Sequence, residues 1–171
     1  MLRLVLQYPD PRLKQKSEPV EQIDDEIRDL VTDMLDTLKS IGGVGLAAPQ
    51  IGVFKRIVLI DVSQGEDDPD ATQDFKVLIN PTIIVLNPAK HAENEGCLSV
   101  PEFRAEVSRP SEVAIDAIGL DGEKLHYEGK GYYGACMQHE CDHLDGTLFI
   151  DRISFLKRSM YDKKLKKTAR G

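Results

Sequence analysis

The chain lacks the features that mark membrane, secreted and disulfide-rich proteins. No apolar run in its 171 residues approaches the roughly 18 that a membrane-spanning helix needs. Its start, MLRLVLQYPDPRL, is apolar for too short a stretch before prolines break it, so it does not resemble a secretory signal. Three cysteines are too few, and odd in number, for a disulfide framework. We therefore expect a cytoplasmic protein, in which a free thiolate can bind a metal.

Nothing in the sequence indicates a boundary between domains. It contains no internal repeat and no low-complexity linker, and its length suits a single domain over residues 1–171. Charge is uneven, because residues 155–171 carry seven Lys or Arg against one Asp in a chain of net charge −7. This basic end is either a solvated helix terminus or a surface that contacts nucleic acid or a ribonucleoprotein.

Apolar residues at three- and four-residue steps predict helices. The clearest helix covers residues 21–41 and stops at Gly42–Gly43. A second is predicted over 131–145, closed by Gly146, and a third over about 154–168. The thin apolar stripe of the third helix consists of Leu156, Met160 and Leu165.

Buried or alternating apolar runs predict antiparallel strands. These strands cover residues 55–62, 75–87, 103–109, 111–118 and 124–130. The run at 75–87 is expected to form two pieces joined at Asn80–Pro81, because proline does not sit in a central ladder. Asp121–Gly122 marks a hairpin turn, and the polar segment 64–74 a surface loop. The prediction is one α+β domain with a long helix, antiparallel strands and then a helix with a histidine motif.

The segment QHECDHLDG (138–146) places two histidines four residues apart on the second predicted helix. His139 and His143 therefore point the same way, and both imidazoles can bind one divalent metal. Glu140 lies one step round the helix, where a general base for a metal-activated water belongs. The alternative is a surface helix with ordinary polar residues, for which this spacing would be a demanding coincidence.

Such a metal needs a third protein ligand, and the downstream sequence supplies none of the usual ones. Metalloproteases with this motif use a later histidine or glutamate, but position 149 is Phe149 and no Glu follows Glu140. No histidine follows His143 either. Three acids remain formal candidates for a peptidase, namely Asp145, Asp151 and Asp162.

The other candidates lie upstream, and they are His91, His126, Cys97 and Cys136. His91 falls in a predicted polar loop and His126 in a hairpin strand, and neither has a local signature. Cys136 shares the helical face of the two motif histidines, but three ligands along that face would span about 10 Å. Metal bonds of about 2 Å cannot gather both ends, so Cys136 is expected to line a pocket beside the site.

Cys97 is the most suitable third ligand. It stands in EGCLSVP (95–101), where Gly96 frees the backbone and Pro101 ends the segment. Its thiolate would complete a Cys–His–His set with a fourth position open, which is typical of a catalytic metal site. A buried inert thiol is the alternative.

The glycine-rich segment GGVGLAAPQIG (42–52) follows the long helix. Gly43 and Gly45 let the backbone approach a ligand closely, and the Gln50 amide can donate a hydrogen bond. The same glycines can also serve as a helix cap and tight turn. The segment has neither a dinucleotide-binding glycine pattern nor a P-loop lysine, so phosphate binding is not expected.

Three segments in order resemble the peptide deformylase family: GVGLAAPQ at 43–50, EGCLS at 95–99 and QHECDHL at 138–144. The resemblance implies antiparallel β-sheets packed around a central helix that carries the histidine motif, with a long N-terminal and a C-terminal helix. It also implies an enzyme that removes the N-formyl group from nascent polypeptides beginning with formyl-methionine. Formate and a free amino terminus are the products.

By matching positions, the resemblance assigns roles to residues. Cys97, His139 and His143 would hold the metal, and Glu140 would be general base and acid. Gln50 and the backbone N–H of Leu98 would bind the developing oxyanion. The substrate would lie against Gly43, Val44, Gly45, Glu95, Arg104, Tyr132 and Cys136.

The resemblance further implies one divalent ion per chain, with Fe²⁺ the expected ion in cells and Zn²⁺, Ni²⁺ or Co²⁺ able to occupy the same site. The expected partners are formyl-methionyl nascent peptides. In some relatives a basic C-terminal helix docks on the ribosome near the exit tunnel, which suits the basic end of this chain. Neither DNA nor a membrane is expected as a partner.

Overall fold

The computed structural model describes residues 1–170. Within these residues the fold is α+β, as predicted, with one antiparallel sheet and three α-helices. Helix α1 spans Asp25–Ile41, α2 spans Gly131–Leu144 and α3 spans Phe155–Arg170. Among the described residues, no helix combines the length and the apolar character needed to cross a membrane.

Local side chains set the two ends of α1. The Asp24 carboxylate accepts a hydrogen bond of 3.0 Å from the Ile27 N–H, which fixes the start four residues later than predicted. Gly42 adopts φ 80°, a left-handed conformation that glycine accepts without strain, and ends the helix. The buried face of α1 comprises Ile27, Leu30, Val31, Met34, Thr37 and Leu38.

The sheet contains five strands that neighbour one another in chain order. They are β1 (Gly45–Ala47), β2 (Ile57–Asp61), β3 (Phe75–Cys97), β4 (Val100–Ile118) and β5 (Lys124–Lys130). Every neighbouring pair is antiparallel, so short connections suffice. The turn between β3 and β4 follows Cys97 directly, and β5 leads straight into α2.

Two strand predictions were wrong in their extent. The break expected at Asn80–Pro81 is a register shift between Ile79 and Thr82, after which β3 continues to Cys97. Asn80 adopts φ 51°, and its side chain accepts from the Val20 N–H and donates to the Val20 carbonyl. The proline is thus accommodated in a bulge.

Continuation of β3 also corrects the environment of His91. This residue pairs with Arg109 in the β3–β4 ladder and is not in a polar loop. The two predicted strands at 103–109 and 111–118 are likewise one strand, β4. Because β3 and β4 are long, they carry the Cys97 turn away from the bulge and over the face of α2.

Helix α2 lies against the sheet at very short range. A Cβ atom on Gly134 would come within 2.8 Å of the Gly129 carbonyl oxygen, so only glycine allows this approach of helix and strand. Tyr133, Met137 and Leu144 of α2 are buried among sheet residues. The helix ends before Gly146, which has φ 74°.

The C-terminal helix is present, but its predicted apolar stripe was wrong. Leu156 and Met160 are 71% and 62% exposed, whereas Tyr161 is 1% exposed and donates to the Pro101 carbonyl at 3.1 Å. Leu165, one turn further, packs beside it. The helix therefore contacts the domain along a narrow line, in which Tyr161 is the most deeply buried side chain.

Candidate active site

Cys97, at the end of β3, meets His139 and His143 of α2. The ligand atoms of these three residues all lie within 4.8 Å of one another. The Cys97 Sγ atom is 3.4 Å from His143 Nε2. Both histidines are buried and Cys97 is half-buried, so of the three residues Cys97 is the most exposed to solvent.

Electrostatics in this group favour a bound cation. Burial, with the charge of His139, lowers the pKa of His143 well below its usual range, which leaves a neutral ring with a free lone pair. Burial also acts to lower the pKa of His139, but Cys97 and the Glu95 carboxylate outweigh it and raise that pKa. The surroundings of His139 therefore favour a positive charge at this position.

The donor set fits a divalent transition metal. One thiolate and two imidazoles are soft or borderline ligands, which suit Zn²⁺, Fe²⁺, Co²⁺ or Ni²⁺ better than Mg²⁺ or Ca²⁺. Three protein ligands leave a coordination position for water or substrate. The metal itself is an inference from these residues.

Glu140 is positioned as a base beside the group. It is 7% exposed, and its Oε2 atom has no hydrogen-bond partner among the described residues. Burial raises the pKa of Glu140 to about 7, so its proton is exchangeable near neutral pH. A Cβ atom on Gly45 would lie 2.9 Å from the Glu140 Cγ atom, so β1 approaches this carboxylate closely because residue 45 is glycine.

Gln50 lies in the short helical turn after β1, and its amide is fully engaged. Its Oε1 atom accepts from the Ala47 N–H at 2.9 Å. Its Nε2 atom donates to the Ser99 Oγ at 3.1 Å and lies 3.6 Å from the Cys97 Sγ. The amide donor is thus held beside the thiol of Cys97, the residue that Leu98 follows in the turn between β3 and β4.

Glu95 has two protein partners. Its carboxylate accepts two hydrogen bonds from Arg109, of 2.7 and 2.9 Å, and lies 3.0 Å from His139 Nδ1. Burial acts to raise the pKa of Glu95, but His139 and Arg109 outweigh it and lower that pKa, so the group is ionised. A negative acceptor at Nδ1 leaves Nε2 of His139 for a metal.

A cavity of about 540 Å³ opens in front of these residues. It brings together nearly every residue predicted from sequence to contact substrate or to take part in catalysis, but not His143. Its lining consists of Gly43, Val44, Gly45, Gln50, Glu95, Gly96, Cys97, Leu98, Val100, Glu102, Phe103, Arg104, Tyr132, Ala135, Cys136, His139 and Glu140.

The mouth and wall of the cavity are partly polar. Arg104 lies over Gly96 and donates to the Asn94 carbonyl at 3.0 Å. Tyr132 is 43% exposed at the rim. Burial raises the pKa of Cys136 to about 12, so this thiol is neutral and suits an apolar pocket.

The other candidate ligands have different partners. His91 contacts Glu93 at 2.8 Å, and His126 contacts Asp116 at 2.5 Å. Of the acids that a peptidase might use, Asp145 pairs with Arg56, Asp151 with Arg158, and Asp162 accepts from the Tyr8 hydroxyl. Only Cys97, His139 and His143 form a metal-binding cluster within the part of the chain that the structure describes.

Sequence reasoning missed two residues that surround the site. Arg109 pairs with Glu95, and Phe149 stacks on the His139 ring at a centroid distance of 6.1 Å. Both reach the site through tertiary contacts rather than through spacing along one helix. Ser99 lies in the EGCLS segment, where the sequence places it among the polar groups around Cys97, and it accepts a hydrogen bond from Gln50.

The site is that of a metallohydrolase, with a Cys–His–His cluster, an adjacent buried glutamate and an open cavity. Comparison with known proteins identifies the family, because the sequence model of polypeptide deformylase matches residues 2–159. The chain belongs to the polypeptide deformylase family.

Relatives and solved structures agree over the whole chain. A peptide deformylase of Pseudomonas aeruginosa is 44% identical over 166 residues, covering 97% of this chain and 95% of the relative. A crystal structure from Legionella pneumophila has 39% identity and a TM-score of 0.87, over 99% and 96% of the two chains. One from Ehrlichia chaffeensis in complex with actinonin has 36% identity and a TM-score of 0.88, over 99% of each chain.

Proposed function

We propose that this chain removes the N-formyl group from formyl-methionine at the start of nascent polypeptides, with Cys97, His139 and His143 holding one divalent metal. The protein is a metal-dependent hydrolase of the peptide deformylase family. The observation that carries the residue assignment is the convergence of one thiol and two imidazoles within 4.8 Å beside Glu140. We infer Fe²⁺ as the ion in cells, with Zn²⁺, Ni²⁺ and Co²⁺ as substitutes.

When bound, the metal supplies Lewis-acid chemistry that makes water available as a nucleophile near neutral pH. Glu140 takes the proton from the attacking water and gives it to the leaving amine, because its pKa of about 7 suits both transfers. The unpartnered Oε2 atom is the oxygen that serves as base.

Charge develops on the formyl oxygen as water adds. We assign the Gln50 amide, which lies 3.6 Å from the Cys97 Sγ, and the Leu98 N–H as donors to this oxygen, Gln50 by turning one N–H away from the thiol. Glu95 holds His139 in the tautomer that presents Nε2. We assign Glu95 to this orienting role as well as to the pocket wall.

Substrate binding is assigned to the cavity. Gly43, Val44 and Gly45 line one edge and contact the peptide backbone, while Tyr132 and Cys136 contact the first side chain. Arg104 lies at the mouth. We also propose that residues 1–171 form a single catalytic domain.

Formate release from formyl-methionyl-alanine tests the function. Protein purified anaerobically with iron is expected to release one formate per peptide cleaved at the formyl bond. The acetylated dipeptide is the matched control, and it is expected to react poorly because a methyl group replaces the hydrogen on the carbonyl carbon and hinders attack by water. A protein that binds one metal per chain yet releases no formate would contradict the proposal.

We further propose that α3 docks on the ribosome near the exit tunnel, at the site where substrates emerge in the cytoplasm. Its lysines at 163, 166 and 167 are exposed, while Tyr161 keeps the helix attached to the domain. Exposed cations of this kind bind RNA phosphates and release counterions.

Replacing Lys163, Lys166 and Lys167 by Gln is expected to weaken ribosome binding and to reduce its salt dependence, by about one unit of log–log slope per lysine. Sedimentation with ribosomes across a salt series measures both. The control is the same change of charge at Lys16, Lys39 and Lys124, which are exposed elsewhere. Equal binding by the two triple variants would refute docking through α3.

A further inference from the structure

A network of side chains with alternating charges runs from the metal cluster to the opposite side of α2. Glu95, which contacts His139, is bound by Arg109 through Nε and Nη2 at 2.7 and 2.9 Å. The third terminus of the guanidinium, Nη1, donates to Asp142 at 2.8 Å. Asp142 in turn accepts from Arg152 at 2.6 and 2.8 Å.

The inner part of this network, Arg109 and Glu95, is almost fully shielded from water as an alternative partner. The Arg109 side chain is 4% exposed and the Glu95 side chain 4%, while Asp142 is 15% and Arg152 45% exposed. A buried guanidinium whose partner is removed keeps its charge and must redistribute its hydrogen bonds. The contacts of Arg109 with Asp142 and with Glu95 are therefore linked.

The shape of the Arg109 guanidinium also links its contacts with Asp142 and Glu95. A guanidinium is planar, so carboxylates bound at two of its edges fix its orientation more tightly than one does. Asp142 lies on α2 between His139 and His143, whereas Arg109 lies on β4 and Arg152 in the turn after α2. Asp142 thus ties the helix that carries both histidines to the strand that orients Glu95.

We propose that Asp142 is a positioning residue for His139, acting through Arg109 and Glu95, and that Arg152 holds Asp142 in place. Without Asp142, the charge of Arg109 falls on Glu95 alone, which weakens Glu95 as an acceptor for the His139 N–H and frees the imidazole to turn. This inference rests on the proposed metal site, since its effect is on a ligand of that metal. Partners of this kind, one step beyond the ligands, typically change metal affinity by about 10–100-fold.

The test is the zinc affinity of Asp142→Asn, measured by competition with a chromophoric chelator. The expected fall is about tenfold, with most of the affinity recovered in Asp142→Glu. The matched control is Asp145→Asn. Asp145 lies at the same helix end and pairs with Arg56 at 3.0 Å, but does not contact Arg109.

Each outcome decides between the hypotheses. Loss of affinity in Asp142→Asn, with Asp145→Asn unchanged, supports the inference, even where thermal unfolding shows both to be equally destabilised. Wild-type affinity in Asp142→Asn, or equal losses in both variants, overturns it. Failure of the wild-type protein to bind one zinc ion refutes instead the proposed metal site.

Arg152→Gln covers the case in which Asp142→Asn does not fold. Arg152 is partly exposed, so this variant is expected to fold and to lose about threefold in zinc affinity. The ligand-field absorption of the cobalt-substituted protein should shift in Arg152→Gln and not in Asp145→Asn, because only the first change is transmitted to His139. An unshifted spectrum with unchanged zinc affinity would also overturn the inference.

Discussion

Glu140→Gln is expected to lower kcat for a formyl-methionyl peptide by about 10²–10⁴-fold while one metal ion per chain remains bound. Glutamine keeps the shape of the side chain but cannot accept the proton of the attacking water. The metal remains because the ligand atoms belong to other residues, Cys97, His139 and His143. Single-turnover formate release, with metal content measured on the same samples, checks both parts.

The metal-free protein offers a second measurement on the same variant. The folded-state pKa of Glu140, raised by burial to about 7, lies above its usual value of 4.5. The folded state keeps the proton of Glu140 at a higher pH than the unfolded state does. The free energy of unfolding is therefore unaffected by this group below about pH 4.5, falls as pH rises, and has lost the full contribution above about pH 7. Glutamine does not titrate, so the variant should gain stability over the wild type by about 3 kcal/mol above pH 7.

Different outcomes would contradict the turnover prediction and the stability prediction. A Glu140→Gln protein that keeps near-normal turnover would assign the base to another residue and contradict the mechanism. A variant that loses its metal would show that Glu140 supports the cluster directly. Parallel stability curves for the two metal-free proteins, from pH 5 to 9, would show that Glu140 is not a buried titrating group.

Local patterns in the sequence were enough to predict the elements that position the site. The apolar spacing of α1 and the four-residue spacing of His139 and His143 depend only on helix geometry, which does not change with tertiary context. Pairing of strands does depend on that context. The bulge at Asn80 lets β3 run on to Cys97, and it forms through a side-chain bond to Val20, sixty residues away in the chain.

In the candidate site, too, local sequence patterns predicted some residues, whereas residues that depend on tertiary contacts were missed. Glu140 was predicted from its place in the motif, and Cys97 from the lack of a usual ligand downstream and from its segment EGCLSVP. Arg109 could not be predicted, because a buried arginine on a strand has no spacing rule that links it to Glu95 fourteen residues earlier. Tyr161 was missed as the buried residue of α3, since one aromatic side chain leaves no periodic stripe.

The largest effect on metal binding is expected from Cys97→Ser. A serine hydroxyl is neutral near pH 7 and is a hard ligand, so it cannot replace a thiolate that also balances the charge of the cation. Changes to residues that contact the ligands typically lower metal affinity by about 10–100-fold, and the loss in Cys97→Ser should be larger. Formate release should fall to background. Chelator competition and metal content after dialysis measure this loss.

Cys136→Ser is the matched control for the same change of atom. Cys136 lines the same cavity and is neutral because burial raises its pKa to about 12, but it is not part of the cluster. This variant should keep one metal ion and, with cobalt, the thiolate charge-transfer absorption that Cys97→Ser loses. A metalloprotease with an aspartate as third ligand would show the opposite pattern. Its metal would survive Cys97→Ser, because the sulfur would then be a bystander in the pocket wall.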